Sequence, residues 1–184
     1  MTDLDPLIVW IAVAGLATLF AQAAVAKATD LPMFEQHLAA YGVPAPLRVV
    51  ATRALPALEA AAAVLLLLAP TRPAGAALAG GLLLAYALAM AWHRRAGHAL
   101  DCGCGGDPLP LSWALVLRNL GLAGLAALAA APMAPRPLGV GDFAVMAAAV
   151  VLGTLLYAAL HQVLRHRAGL RGRRPLFHRM DPRS

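Results

Sequence analysis

Charge is scarce in this sequence: only 13% of its 184 residues are Asp, Glu, Lys or Arg. A soluble domain of that length needs charged surfaces on most of its helices, so an ordinary globular enzyme is excluded. Disorder is excluded as well, because 61% of the residues are hydrophobic and the mean hydropathy is +0.71. Cysteine is scarcer still. Cys102 and Cys104 are the only two thiols, so any sulfur chemistry belongs to one loop. The first residues, MTDLDPL, carry acids where a secretory signal has its basic region, and no small-residue cleavage site closes the first apolar run. That run is expected to stay as a membrane span. There is no internal repeat, and GCGG lacks the spacing and flanking strand of a dinucleotide site.

What is present is a series of apolar runs close to the ~20 residues that cross a bilayer as a helix. They predict five spans, at about 7–26, 47–69, 74–92, 111–131 and 143–164. Gly15, Thr18 and Gln22 in the first span recur three and four apart and form a small, polar packing stripe. Between the first two spans, Asp30 before Leu31-Pro32 reads as a helix cap, opening a short amphipathic helix over about 31–41. It is too short to span and is expected on the membrane surface, ended by Gly42 and Pro44. Residues 1–164 therefore read as a single all-α transmembrane domain, a four-helix bundle with a fifth helix outside it, followed by a basic tail over 165–184.

The few charges are distributed unevenly. Lys plus Arg is 15 against 9 acids, and Arg165, Arg167, Arg171, Arg173, Arg174, Arg179 and Arg183 fall in the final 20 residues. In a soluble chain such a tail would point to nucleic acid, but after membrane spans it reads as a cytoplasmic tail attracted to anionic lipid. Five spans place the tail, the surface helix and the cysteine loop on one side, with 13 of the 15 basic residues; Arg72 and Arg136 lie on the other. The charge rule makes the tail side cytoplasmic and the N-terminus external in an inner (plasma) membrane.

Residues 93–111 form a loop rich in Gly, Pro and charge that carries DCGCGG. Two cysteines at C-G-C can close a small disulfide ring, for which the central Gly allows the tight backbone. Such a ring is strained and its disulfide a ready oxidant. Arg94 and Arg95 precede it, and positive charge nearby favours the thiolate. Three readings stand: two small loop residues without chemistry, a Zn or Cu(I) site completed by His93, His98 or His37, and a redox dithiol. The membrane-loop position favours the dithiol, with Cys102 and Cys104 as the exchanging pair and no metal. Inside the spans, Arg53, Glu59 and Arg118, with Asn119 beside it, lie at depths that allow one ionic cluster beneath the loop. Such a cluster either pairs to hold spans two and four together or lines a polar pocket that receives a quinone head group, or a proton path, next to the dithiol; the two readings coexist.

The order of these features resembles the MauE/DoxX family of redox-associated membrane proteins, particularly its MauE branch. The resemblance is carried by AKATD at the end of the first span, FEQHLAAYGVP, LPALEAAAAVLLL, the loop DCGCGG and the following SWALVLRNL, and it covers about residues 7–131. Gly105-Gly106 stands where a CGCFG-like run would place an aromatic. The resemblance implies a helical membrane bundle that assists disulfide formation or redox maturation of a partner. In methylamine utilisation this means a disulfide-rich dehydrogenase subunit, with a thioredoxin-like protein acting alongside. It also implies that Cys102 and Cys104 are the redox pair, and Glu59, Arg118 and Asn119 intramembrane polar positions. That role favours extracytoplasmic exchange, whereas the arginines place the loop on the cytoplasmic side. The reading from a different class is a non-catalytic metal-binding or assembly subunit of a membrane complex.

Overall fold

A computed structural model describes residues 3–97 and 111–177. Six helices follow one another: α1 (Pro6–Thr29), α2 (Leu31–Ala40), α3 (Ala45–Leu67), α4 (Arg72–Arg95), α5 (Trp113–Ala129) and α6 (Val140–Phe177). Their starts follow from local chemistry. Asp5 caps α1 by accepting from the Leu7 N–H at 2.8 Å, with Pro6 at the first position where a missing N–H costs nothing. Asp30 does the same for α2, accepting from Met33 N–H at 3.0 Å. Gly42, at φ 75°, then turns the chain, and α3 starts just after Pro44.

The α3–α4 turn is tight, and its tightness depends on Gly75. A Cβ on Gly75 would lie 2.5 Å from the Leu66 nitrogen and 2.7 Å from the Leu65 carbonyl carbon. Glycine is therefore what lets the two backbones touch here. The Thr71 hydroxyl donates to the Leu65 carbonyl at 3.0 Å, satisfying a group that the end of α3 would leave bare.

Four helices, α1, α3, α4 and the apolar part of α6 over Val140–Val163, are long and apolar enough to cross a membrane. The fifth, α5, has 17 residues and spans about 25 Å by helical rise, slightly less than the ~30 Å hydrocarbon core. The protein is an all-α, multi-pass membrane protein. α1 packs between α3 and α5, and α4 closes the bundle against both of these. The core is built from Val9, Val13, Leu16 and Phe20 of α1 against Ala62, Leu66, Ala76, Ala79, Leu83 and Ala126. The alanines let helix axes approach closely, which is how helices gain packing in lipid. α6 leans on α1 from outside, and none of its residues from Val140 to Val163 is buried. Leu152, Leu155 and Leu156 are exposed and face where lipid would be.

One end of the bundle is stapled. Leu4 pairs with Pro132 and Ala134 through backbone hydrogen bonds of 3.1 and 2.9 Å. Arg136 then clamps Asp5 at 2.9 Å and Asp142, in the first turn of α6, also at 2.9 Å. At the other end α2 does more than lie on a surface: its Phe34 is buried, and the helix folds over the end of α1 and against α3. Beneath it lies the polar part of the interior.

Candidate functional site

Lys27 is in the last turn of α1 and Glu59 is well inside α3, yet the two meet under α2. The Lys27 Nζ donates to Glu59 Oε1 at 2.8 Å and to Oε2 at 2.9 Å, with the side chains 6% and 1% exposed. The Tyr86 hydroxyl of α4 donates to the same Oε1 at 2.8 Å. The ammonium also sits 5.7 Å from the Phe34 ring centre and 5.8 Å from that of Tyr86, within cation–π range. Three helices and the covering α2 thus converge on one carboxylate. An unpaired acid at that depth would cost about 2.5–3.5 kcal/mol on insertion scales. The pair offsets that penalty and ties α1, α3 and α4 to one another.

This trio forms one wall of a cavity of about 690 Å³, to which all six helices contribute. Also on the cavity wall, Arg118 of α5 donates through Nη1 to the Tyr157 hydroxyl of α6 at 3.0 Å, and its guanidinium lies 5.4 Å from the Tyr157 ring centre. Asn119, 3% exposed, lines the same space. His37, Tyr41 and His93 line it as well, with the Tyr41 and His93 rings edge-to-face at 4.9 Å. The lining is mainly apolar, with a few convergent polar groups, the usual make-up of a small-molecule site.

The expected site residues are distributed as follows. Glu59, Arg118 and Asn119 all reach the cavity. They do not form the single cluster with Arg53 that helical depth allows. Arg53 is exposed on the outside of α3 and absent from the cavity wall, and the partner of Glu59 is Lys27. The physical reason is α2: by folding over the end of α1 it leaves the first turns of α3 standing beyond α1. A residue 14 positions into α3 therefore meets the last turn of α1 and no arginine of its own helix. Arg94 is exposed, and Arg95, also exposed, holds its guanidinium 5.7 Å from the Trp113 ring centre. That contact joins the two stems of the cysteine loop. Cys102 and Cys104, with His98, lie outside the described residues. The stems themselves start at the cavity: His93 lines it, and Leu111 is buried against Ala87, Met90, Leu115 and Val116, with Tyr41 and Tyr86 packed on that cluster.

Lys27 and Tyr86 stand outside the site residues expected from the sequence. Lys27 reads as the polar end of the first span, but the chain carried a signal: its other 14 basic residues are all arginine. Tyr86 gave none, being one tyrosine in an otherwise uncharged span.

The family model described as methylamine utilisation protein MauE matches residues 5–132, which takes in α1 to α5 and leaves α6 beyond it. Among curated proteins, the methylamine utilization protein MauE of Paracoccus denitrificans is 35% identical over 170 residues, covering 85% of this chain and 88% of that protein. That of Paracoccus versutus is 39% identical over 167 residues, covering 84% and 87%. No solved structure matches. With the model covering most of the chain and both relatives matched over nearly their whole length, this helical membrane protein belongs to the MauE family.

Proposed function

We propose that the chain serves methylamine utilisation as a membrane-embedded thiol–disulfide exchange protein, with Cys102 and Cys104 as the working dithiol. It assists disulfide formation or redox maturation of a partner, either a disulfide-containing client or a thioredoxin-like protein. The observation that carries the reading is the position of the only two thiols. They lie between the ends of α4 and α5, where His93 lines the mainly apolar cavity and Leu111 packs beside it, in a chain whose relatives are named for methylamine utilization. In the exchange, one cysteine as thiolate attacks a partner disulfide or resolves a mixed one, and the other closes the C-G-C ring. Arg94 and Arg95, both exposed beside the loop, supply the positive charge that favours a thiolate. Membrane quinone is the electron acceptor, and the protein sits in the inner membrane with the loop and the tail on the cytoplasmic side.

The test is a thiol count on purified protein under oxidising and reducing conditions, with metal analysis of the same sample. Two thiols interconverting with one disulfide, in metal-free protein, support the reading. Stoichiometric metal that is lost on Cys104→Ser replaces it with a metal-binding subunit.

A further inference from the structure

The cavity wall carries a buried amide donor with nothing to bind. Asn119 is 3% exposed, and its Nδ2 has no hydrogen-bond partner among the described residues. A buried amide donor left unmade loses its hydration without return, so this group is poised for an acceptor that enters the cavity.

The shape of the space narrows the class of acceptor. A second, smaller cavity of about 160 Å³ shares Leu19, Gln22, Leu122, Thr154 and Tyr157 with the first. It continues between α1, α5 and α6 past Gly15, Leu125, Val150 and Gly153. From Tyr157 to Val150 that is about 10 Å along the helix, directed away from the loop end and into the membrane. Neither Gly15 nor Gly153 would place a Cβ within 4 Å of another group, so the crevice is open along its length. The whole is a chamber with a polar wall and a narrow apolar extension.

Charge narrows it further. Lys27 is neutralised by Glu59, whereas Arg118 donates to the neutral Tyr157 hydroxyl and stays cationic, so the chamber presents a cation and the Asn119 amide to the acceptor oxygens of a ligand. A single-chained amphiphile with a carbonyl-bearing ring meets every feature. We propose that this chamber binds an isoprenoid quinone, a ring carbonyl accepting from Asn119 Nδ2 and the chain lying along the α1–α5–α6 crevice.

The site stands on its own geometry; its part in electron transfer rests on the dithiol reading above. Closing the ring between Cys102 and Cys104 releases two electrons and two protons, the number that converts one quinone to its quinol. The Tyr86 hydroxyl, held on Glu59 at 2.8 Å, places an exchangeable proton in the chamber wall.

The test uses the full chain in nanodiscs, titrated with a benzoquinone carrying a ten-carbon chain and followed by tryptophan fluorescence, with solvent extraction and mass spectrometry of what co-purifies. Saturable binding is expected, weakened about tenfold by Asn119→Leu. Gly153→Leu fills the crevice without touching the head site and is expected to weaken binding as much, in protein that elutes as the wild type does. Arg53→Gln, outside the chamber, should bind as wild type. The doubly substituted Cys102→Ser, Cys104→Ser chain should also bind with unchanged affinity, which separates the quinone site from the dithiol. Absence of saturable binding, binding indifferent to both Asn119→Leu and Gly153→Leu, or recovery of phospholipid alone would overturn the proposal.

Discussion

The Lys27 ammonium reaches both oxygens of the Glu59 carboxylate, at 2.8 and 2.9 Å, in a place where neither side chain sees more than a trace of the outside. Truncating one partner strands the other. Lys27→Met or Glu59→Gln should each destabilise the protein by about 3–5 kcal/mol, whereas replacing both by apolar residues should recover most of the loss. Arg53→Gln, on the exposed side of α3, should stay within about 0.5 kcal/mol of wild type. Thermal unfolding in detergent, read from the monodisperse fraction after heating, checks all four chains. Equal losses from Arg53→Gln and Glu59→Gln would contradict the pairing described.

The α3–α4 hairpin depends on Gly75 for steric reasons alone. Gly75→Ala puts a methyl group into the Leu65–Leu66 backbone, where neither neighbour is the movable end of a side chain. A loss of about 1–3 kcal/mol or more is expected, typical of overpacking. Gly81→Ala in the same helix meets nothing within 4 Å and should be tolerated. Expression level and heat stability of the two variants side by side make the comparison.

At the stapled end, the Asp5 carboxyl is held below its ordinary range, first by the hydrogen bond from Arg136 and then by that from the Leu7 N–H. The sign follows directly. A carboxylate whose pKa is lowered by folding adds stability above its unfolded value, and loses it as pH falls through the folded one. Acidification from about pH 5 downward should therefore weaken the staple that ties α1 to the α5–α6 connection. In Arg136→Gln this acid-sensitive part should shrink. The group is partly exposed, so the effect is small, and it is read as a difference between the two melting-temperature profiles below about pH 4.

Arg118 and Tyr157 join α5 to α6, a helix with no buried residue over its apolar stretch. Tyr157→Phe removes the hydroxyl but keeps the ring, and Tyr157→Leu removes both the hydrogen bond and the cation–π contact. Limited proteolysis in detergent should cut α6 faster in Tyr157→Leu than in Tyr157→Phe, and in either faster than in wild type. Identical rates in all three would show that α6 is held by its α1 contacts and the Arg136–Asp142 clamp, without help from Arg118.

Much of this architecture could be read without coordinates. Runs of Leu, Ala and Val near bilayer length announce helices whatever their neighbours do, and Asp5 and Asp30 announce caps through local chemistry. Glu59 announces a problem by being an acid among apolar residues, and it was legible as a site for that reason. Its solution was not. Finding Lys27 requires knowing that α2 folds over α1 and shifts the register of α3, a tertiary fact with no local signature. Depth counted along α3 alone favoured Arg53, which turns outward. Tyr86 and the open crevice beside Gly153 were hidden for the same reason: each takes its meaning from a neighbour far away in sequence.

The central claim is that Cys102 and Cys104 act as one redox pair, and trapping their state tests it most directly. Membranes holding the wild type, Cys102→Ser and Cys104→Ser chains would be reduced, allowed to reoxidise, quenched in acid and labelled with a bulky maleimide, with metal measured on the purified wild type. The account predicts a metal-free wild type that passes from two labelled thiols to none, while each single variant keeps its one thiol labelled. Two thiols that stay labelled through reoxidation, or that are masked by a bound metal, would contradict it.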